Sequence, residues 1–474
     1  MVFSSIEFAI FLPLVLALYY CLAFRWQNRL LLVASYVFYG WWDWRFLTLL
    51  WISTGVDFFV GRQLARSEDP GRRKLLAGLS VVANLSLLGF FKYFDFFVDS
   101  MAAMLESAGF TVHTPTLRIV LPVGISFYTF QTLSYTLDIY RKRLEPTTNL
   151  LDFALFVAFF PQLVAGPIER ARNLLPALSS PRRLSWRDLA VGLELILIGF
   201  FKKVGVADAI GPLVDTRFLA PESFSGKDLL FASYLFSIQI YCDFSGYTDI
   251  ARGCARLFGI PLMRNFEQPY FSRSVTEFWR RWHISLSTWL RDYLYISLGG
   301  NRRGRGITYR NLMLTMLIGG LWHGAAWTFV IWGGLHGLYL VAHKWMLERR
   351  GLKDPPAPRS GLVDAVKILV TFHLVVFTFV FFRADSFAHA LTVLQGIATW
   401  QASDAVEISW VGARNLMLLV PLVGVDLAQR RTGHHAFGIG APSWVRAPAY
   451  AALLVLTLTL GNLVDHVPFI YFQF

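Results

Sequence analysis

The sequence predicts an all-α, polytopic integral membrane protein of about 11–12 transmembrane helices, with re-entrant and interfacial amphipathic helices beside them. Three observations carry this. The 474 residues are 55% hydrophobic and only 16% charged, with a positive mean hydropathy, a profile that no soluble core requires. Apolar stretches of roughly 20 residues, the length that crosses a bilayer, recur along the chain. The basic residues gather in short clusters between those stretches. A formal charge of +13 would point to nucleic acid in a soluble protein. Here it reads as the positive-inside signature, which removes nucleic acid from the partners and puts membrane lipid in its place.

In chain order, the candidate spans are 6–24, 30–41, 46–60, 75–94, 119–138, 188–203, 229–251, 311–326, 327–343, 362–381, 411–427 and 447–464. The first has no basic region before it and no small-residue cleavage site, so it reads as a retained span. The two near 30–60 are short and hinged at Trp41-Trp42-Asp43-Trp44, as one bent hairpin would be. Segment 150–167 is apolar but has basic residues on both sides, and is expected to be re-entrant or interfacial. The loops carrying Arg25/Arg29, Arg62–Lys74, Arg141–Arg143, Arg252–Arg310, Lys344–Arg359 and Arg430/Arg431 fall on the cytoplasmic side by the Lys/Arg rule. Loop 95–118, with Asp95, Asp99 and Glu106, falls opposite. Both termini are then extracytoplasmic, and Lys202-Lys203 is the main discordant pair. The Asp354-Pro355-Pro356-Ala357-Pro358 stretch reads as a cytoplasmic loop. The chain is expected to form one membrane-embedded domain: N-terminal spans over 1–110, a motif-bearing core over 119–343 and C-terminal spans over 362–474. Cys21, Cys242 and Cys254 are too scattered for a disulfide framework or a CxxC metal site.

Ser274–Leu298 has helical period without the length of apolar sequence a span needs. Val275, Phe278, Trp279, Trp282, Leu286, Trp289, Leu290, Tyr293 and Leu294 make one apolar face. Glu277, Arg280, Arg281, Arg291 and Asp292 fall largely elsewhere. One interfacial helix over 274–298 is expected. Its basic cluster is either a solvated face near anionic lipid or a site for an anionic cofactor such as a coenzyme A diphosphate. The Gly299–Gly306 loop, with Arg302, Arg303 and Arg305, is strongly basic but is neither a Walker nor a Rossmann motif.

The centre of the chain is Asn311–His343, without Pro, Asp, Glu, Lys or Arg. Trp322-His323-Gly324 sits in its middle. An intramembrane imidazole is a functional candidate by default, and spacing alone leaves open a structural hydrogen bond to a neighbouring helix. Gly320xxxGly324 and Gly333xxxGly337 let helices approach closely or leave room for a slender chain. His336, in the same stretch, reads as structural. Asp243, Ser245, Tyr247 and Asp249 form a polar block whose carboxylates must pair, with Arg252 or Arg280, or orient an imidazole. The aromatic Phe469–Phe474 segment reads, on composition, as an interfacial anchor.

Taken together, Gly124–Gln131, Phe160–Ile168, Tyr241–Ile250, Asn265–Tyr270, Glu277–Asn301 and Gly320–Gly337 resemble the membrane-bound O-acyltransferase family. The bacterial alginate O-acetyltransferase membrane-subunit branch is the nearest in pattern, and the likeness runs from the first residues to the last. It implies a helical bundle around a central tunnel, catalysis by the Trp-His-Gly histidine, here His323, and a second motif histidine at His283, often Asn in eukaryotic branches. It further implies acetyl-CoA as the acyl donor with no tightly bound cofactor, a partner acetyltransferase of SGNH or alginate-acetylation type outside the cytoplasm, and an exported or cell-wall polysaccharide as acceptor in a bacterial inner membrane. Tyr471 becomes a candidate acyl acceptor, with Trp322, Gly324, Trp279, Arg280, Arg281, Trp282, Asp243, Arg302 and Arg303 supporting the site or the donor. The residues agree chemically: acyl transfer needs a base near neutral pH and donors for an oxyanion. No GxSxG elbow, HExxH or Cys/His cluster supports a serine or metal mechanism. The rival readings are a transporter or flippase for acyl donors or glycans, a scaffold of polysaccharide export, and acylation of another acceptor, as in D-alanylation of teichoic acid.

Overall fold

The protein, as a computed structural model, is described here over residues 1–113, 117, 119–352, 361–400, 414–462 and 469–472. The Pro-rich stretch at 354–358, residues 411–413 of one expected span and residues 473–474 lie outside the described residues. Those described contain helices and turns and no strand. They form two compact units, residues 1–192 with 254–263, and residues 193–253 with 264–474.

The first unit is knotted by polar groups inside apolar helices. Asp57, on the helix Leu47–Arg66, accepts hydrogen bonds from Ser80, from Asn84 Nδ2 at 2.7 Å and from Thr136 Oγ1 at 2.5 Å. Those donors come from the helices Pro70–Leu88 and Ile125–Tyr140, so one carboxylate ties three helices. A charge so buried is tolerated because several donors surround it. Arg73 gives its guanidinium to the carbonyls of Leu64, Ser67, Ile139 and Tyr140, at the C-terminal ends of two of these helices, where a cation is favoured.

The expected short hairpin near 30–60 is instead two full helices of 20 residues, Phe24–Asp43 and Leu47–Arg66. They extend past the apolar windows; at the start of the first, Gln27 and Asn28 are buried in the protein. The hinge itself lies where expected: Asp43 caps the turn Trp44–Phe46 by accepting from the Arg45 amide at 2.9 Å. The helix of the 75–94 span runs on through a π turn, Gly89–Tyr93, to Ser107, so much of the expected 95–118 loop is helical. Segment 150–167 folds as Leu150–Ala158 and a short helix, Phe160–Leu163, broken at Phe159, with Phe153 and Phe156 through Phe160 fully buried.

The 32-residue helix Gly226–Leu257 carries the whole polar block on its part in the second unit, up to residue 253. The helices Arg305–His323 and Trp327–Arg349 form a hairpin whose backbones nearly touch. A Cβ on Gly320 would collide with the Phe329 carbonyl, one on Gly333 with the Met316 carbonyl, and one on Gly337 would lie 2.7 Å from the Met313 sulfur. The glycines therefore serve close packing, the first of the two roles open to them. Ser274–Leu298 is not one helix. It breaks into Val275–Arg281, Ile284–Trp289 and a π turn, Leu290–Tyr295, with Trp282 and His283 at the break. Two further helices, Asp208–Leu219 and Phe387–Ala398, were not among the expected spans.

Among the described residues, three helices are both long and apolar enough to cross a membrane by length and composition: Pro70–Ser107, Leu362–Arg383 and Ser443–Leu460. Others, like Gly226–Leu257, carry polar residues that other parts of the protein satisfy. Substituting Gly333 by Val should overpack the hairpin and lower stability by about 1–3 kcal/mol, read as a fall in the thermal unfolding midpoint of the detergent-solubilised protein; Gly334→Ala, with only a 3.5 Å side-chain neighbour, should be close to neutral.

Candidate active site

His323 is the last residue of Arg305–His323, and Gly324 leaves the helix in extended backbone, φ −158°, ψ 154°. Any Cβ at Gly324 would enter the Phe329 ring, so only glycine lets the chain turn there with that ring in place. His323 is buried in a cage of rings, with centroids 5.2 Å from Trp322, 5.0 Å from Trp332 and 5.5 Å from Phe382.

The break before Ile284 brings in the second histidine. His283 has φ 43°, ψ 54°, the left-handed region, which non-glycine residues other than Asn, Asp and His seldom enter. Asn265 holds it there. Asn265 Oδ1 accepts from the Ser285 amide at 3.2 Å and Oγ at 2.9 Å, and lies 3.1 Å from His283 Nδ1. A backbone N–H must donate, so this Asn265 atom is the oxygen and His283 Nδ1 carries the proton. The tautomer makes Nε2 the basic nitrogen of the ring. His283 lies between two short helices, outside the spanning segments, and burial pushes its pKa down to about 3, so it is neutral at physiological pH. Its ring centroid is 6.1 Å from His323, 5.7 Å from Trp322 and 4.6 Å from Phe244.

The aromatic 469–471 segment completes the cluster. Its expected use as an interfacial anchor fails because Phe469 and Ile470 are buried in the second unit. Tyr471 stands 5.5 Å from His323 and 6.5 Å from His283, centroid to centroid, stacked on Phe469 at 5.4 Å and against Phe244 at 4.7 Å. Its hydroxyl makes no hydrogen bond among the described residues. Burial, and then the nearby Asp243 carboxylate, push the phenol pKa up, so Tyr471 needs a base before it can act as a nucleophile.

Asp243 does not pair with Arg252 or Arg280, nor does it hold an imidazole. Its Oδ1 lies 2.6 Å from Lys203 Nζ and its Oδ2 accepts from the Ile470 amide at 2.7 Å. Arg252 pairs with Asp249 at 2.9 Å, beside the buried His435. The pair Lys202-Lys203, discordant for topology, is explained: both are buried in ion pairs, Lys202 with Asp249 at 2.9 Å, and report nothing about loop charge.

The remaining expected residues divide. Trp279 donates to His336 Nδ1 at 3.2 Å, and His336 Nε2 meets Thr378 Oγ1 at 3.0 Å, which fixes His336 structurally as expected. Trp282 is buried among Phe266, Phe278 and Phe379. Arg281 is engaged by Glu277 at 2.9 Å and by the Glu267 carbonyl. Arg280, Arg302 and Arg303 are exposed. A crevice of about 390 Å³, lined by Arg273, Glu277, Tyr339, His343, Arg350 and Lys367 among smaller polar and apolar residues, opens beside Trp327–Arg349. From Tyr339 a file of rings, His336 at 6.1 Å, then Trp332 at 4.8 Å, leads along that helix to His323 at 5.0 Å. Asn265, Trp332 and Lys203 escaped the sequence reading. Asn265 and Trp332 lay inside stretches that carry the family pattern without being singled out; the signal at Lys203 was a lysine inside an apolar span, which needs a carboxylate. Asn265→Ala would leave the Ser285 donors and the His283 ring unmet, at about 1–3 kcal/mol; an unchanged unfolding midpoint would contradict this account.

The model of the membrane-bound O-acyltransferase family matches residues 141–381. The probable alginate O-acetylase of Pseudomonas putida is 40% identical over the full length of both chains. The peptidoglycan O-acetyltransferase of Helicobacter pylori is 39% identical over 82% of this chain and 77% of its own. A teichoic acid D-alanyltransferase of Bacillus subtilis is 28% identical over 58% of this chain and 72% of its own. On the family match and the full-length likeness, the chain belongs to the membrane-bound O-acyltransferase family.

Proposed function

We propose that this enzyme moves an acetyl group from cytoplasmic acetyl-CoA through the bacterial inner membrane, for O-acetylation of an exported or cell-wall polysaccharide by an extracytoplasmic partner of SGNH or alginate-acetylation type. The observation that carries the reading is the convergence of His323, His283 and the Tyr471 ring in one apolar pocket. Relatives named for alginate and peptidoglycan O-acetylation match more of the chain than those named for D-alanyl transfer, which favours acetyl over D-alanyl.

In this mechanism the donor's diphosphate is met by exposed arginines, Arg280 with Arg302 and Arg303. Arg280 lies within electrostatic reach of His343 on the crevice wall. The pantetheine follows the ring file towards His323. His323 takes the Tyr471 phenolic proton as the phenol oxygen attacks the thioester carbonyl. The C–S bond then breaks, the coenzyme A sulfur takes the proton from His323, and an O-acetyl ester is left on Tyr471. An aryl ester is a better acyl donor than the sugar ester that the partner would form from it, so onward transfer is downhill. His283 Nε2 is placed to accept a hydrogen bond from the acceptor or a water. With both termini extracytoplasmic, Tyr471 approaches the pocket from the side on which the partner works.

The test uses labelled acetyl-CoA with purified enzyme in nanodiscs. His323→Ala should lower acetyl transfer by about 10²–10⁴-fold, the span of a positioned general base, with the protein still folded. Near-normal transfer would sink the assignment of His323. Tyr471→Phe should abolish label on the peptide containing residues 469–471 and transfer to the partner; label reaching the partner undiminished would remove Tyr471 from the pathway while leaving His323 in it.

A further inference from the structure

Two consecutive lysines are buried on the π turn Phe201–Ala207, and each takes a different carboxylate of the helix Gly226–Leu257. The Lys203 partner is Asp243, which has a second task. Its other oxygen receives the Ile470 amide, one residue before Tyr471. The same π turn receives the chain at a second point: the Asn462 amide donates to the Val204 carbonyl at 3.2 Å, and a Cβ on Gly461 would stand 3.0 Å from that carbonyl. Lys203 is also bridged to Asp208 at 2.7 Å, so the ammonium is fixed by two carboxylates and Asp243 cannot swing without breaking an ion pair.

We propose that Lys203 and Asp243 form a latch that seats the 469–471 segment, with Lys203 a positioning residue that acts on Tyr471 through Asp243. The assignment rests on the reading of Tyr471 as acyl acceptor for its catalytic consequence, but not for the latch itself. The latch explains why a carboxylate stands beside a residue that must lose a proton: it is there for the backbone, and Lys203 offsets its charge. It also sets the acceptor's distance from His323. The Ile470 amide fixes the backbone beside a ring that otherwise rests on aromatic packing, and a misplacement of about 1 Å can lower the rate about 10²-fold.

The latch is read by hydrogen–deuterium exchange of the intact protein in nanodiscs, on the peptide covering 469–471, together with acetyl incorporation at Tyr471. Asp243→Ala removes the acceptor and should speed Ile470 exchange by about 10- to 100-fold, the worth of a hydrogen bond to a charged group. Asp243→Asn keeps an acceptor oxygen and should retain protection. Ile470→Pro deletes the donor without touching Lys203, Asp208 or Asp243, at the first position of the turn Ile470–Phe472, so it should reproduce the loss of Tyr471 acetylation even if Asp243→Ala fails to fold. Lys203→Met alone should release the segment; combined with Asp208→Asn and Asp243→Asn, a neutral set, it should restore protection, as a buried ion pair replaced whole can be neutral. Loss should appear in kcat with the KM for acetyl-CoA unchanged. Unaltered Ile470 exchange in Asp243→Ala, with unaltered Tyr471 acetylation in both Asp243→Ala and Ile470→Pro, would overturn the latch. Altered exchange with full transfer to the partner would keep the latch and remove Tyr471 as the acceptor.

Discussion

A buried carboxylate has to be satisfied on both oxygens, and in the second unit the arrangement around the candidate site follows from how Asp243 meets that demand. One oxygen takes an ammonium and the other a backbone amide. Meeting the first needs a lysine inside an apolar helix, which survives only because Asp208 shares it. Two adjacent lysines can both face inward because the helix widens into a π turn there, a local irregularity of the kind found at functional sites. Meeting the second oxygen brings residues 469–471 against the Trp-His-Gly motif. A polar group that would be a burden in isolation thereby decides where an aromatic segment lies.

Packing supplies the other half of the geometry. The Gly320–Gly333 approach leaves no slack between Arg305–His323 and Trp327–Arg349, and Gly324 admits Phe329. The rings of Trp322, Trp332 and Phe382 then enclose His323. Such a cage is rigid and strengthens every charge or dipole within it, because little water competes. His323 and His283 stand on different footings: one is caged by hydrocarbon and aromatic surface, the other is tethered through Asn265 with a fixed tautomer. Two imidazoles with such unlike surroundings are suited to separate tasks in proton handling.

The helical class and the core helices were legible because they depend on local pattern, apolar run lengths and basic clusters; His323 stood out as an imidazole where hydrocarbon was expected, whereas His283 was singled out by the family resemblance alone. The stripe on Ser274–Leu298 correctly named residues that are buried, such as Phe278, Trp282 and Leu286, but its period could not show the break at His283. That break depends on Asn265, a contact across eighteen positions that no periodicity records. Asp243 was seen to need a cation, yet the nearest basic residues in sequence were the wrong ones. Its partner Lys203 comes from another helix and had been read as topology. The 469–471 segment showed the same limit: an aromatic run reads alike whether it meets lipid or a pocket. Tertiary pairing is what composition cannot carry.

The left-handed backbone of His283 has an implication for how this position can vary through descent. Whatever occupies it must tolerate φ 43° and either engage Asn265 Oδ1 or leave that oxygen to the Ser285 donors alone. Branched residues are excluded by sterics before their chemistry is considered. Asn satisfies both conditions, entering that region more readily than most residues and presenting a donor amide. An Asn at position 283 would thus keep the bend while giving up the imidazole. The backbone bend and the ring chemistry are separable at this corner: the first depends on φ and Asn265, the second on the imidazole alone.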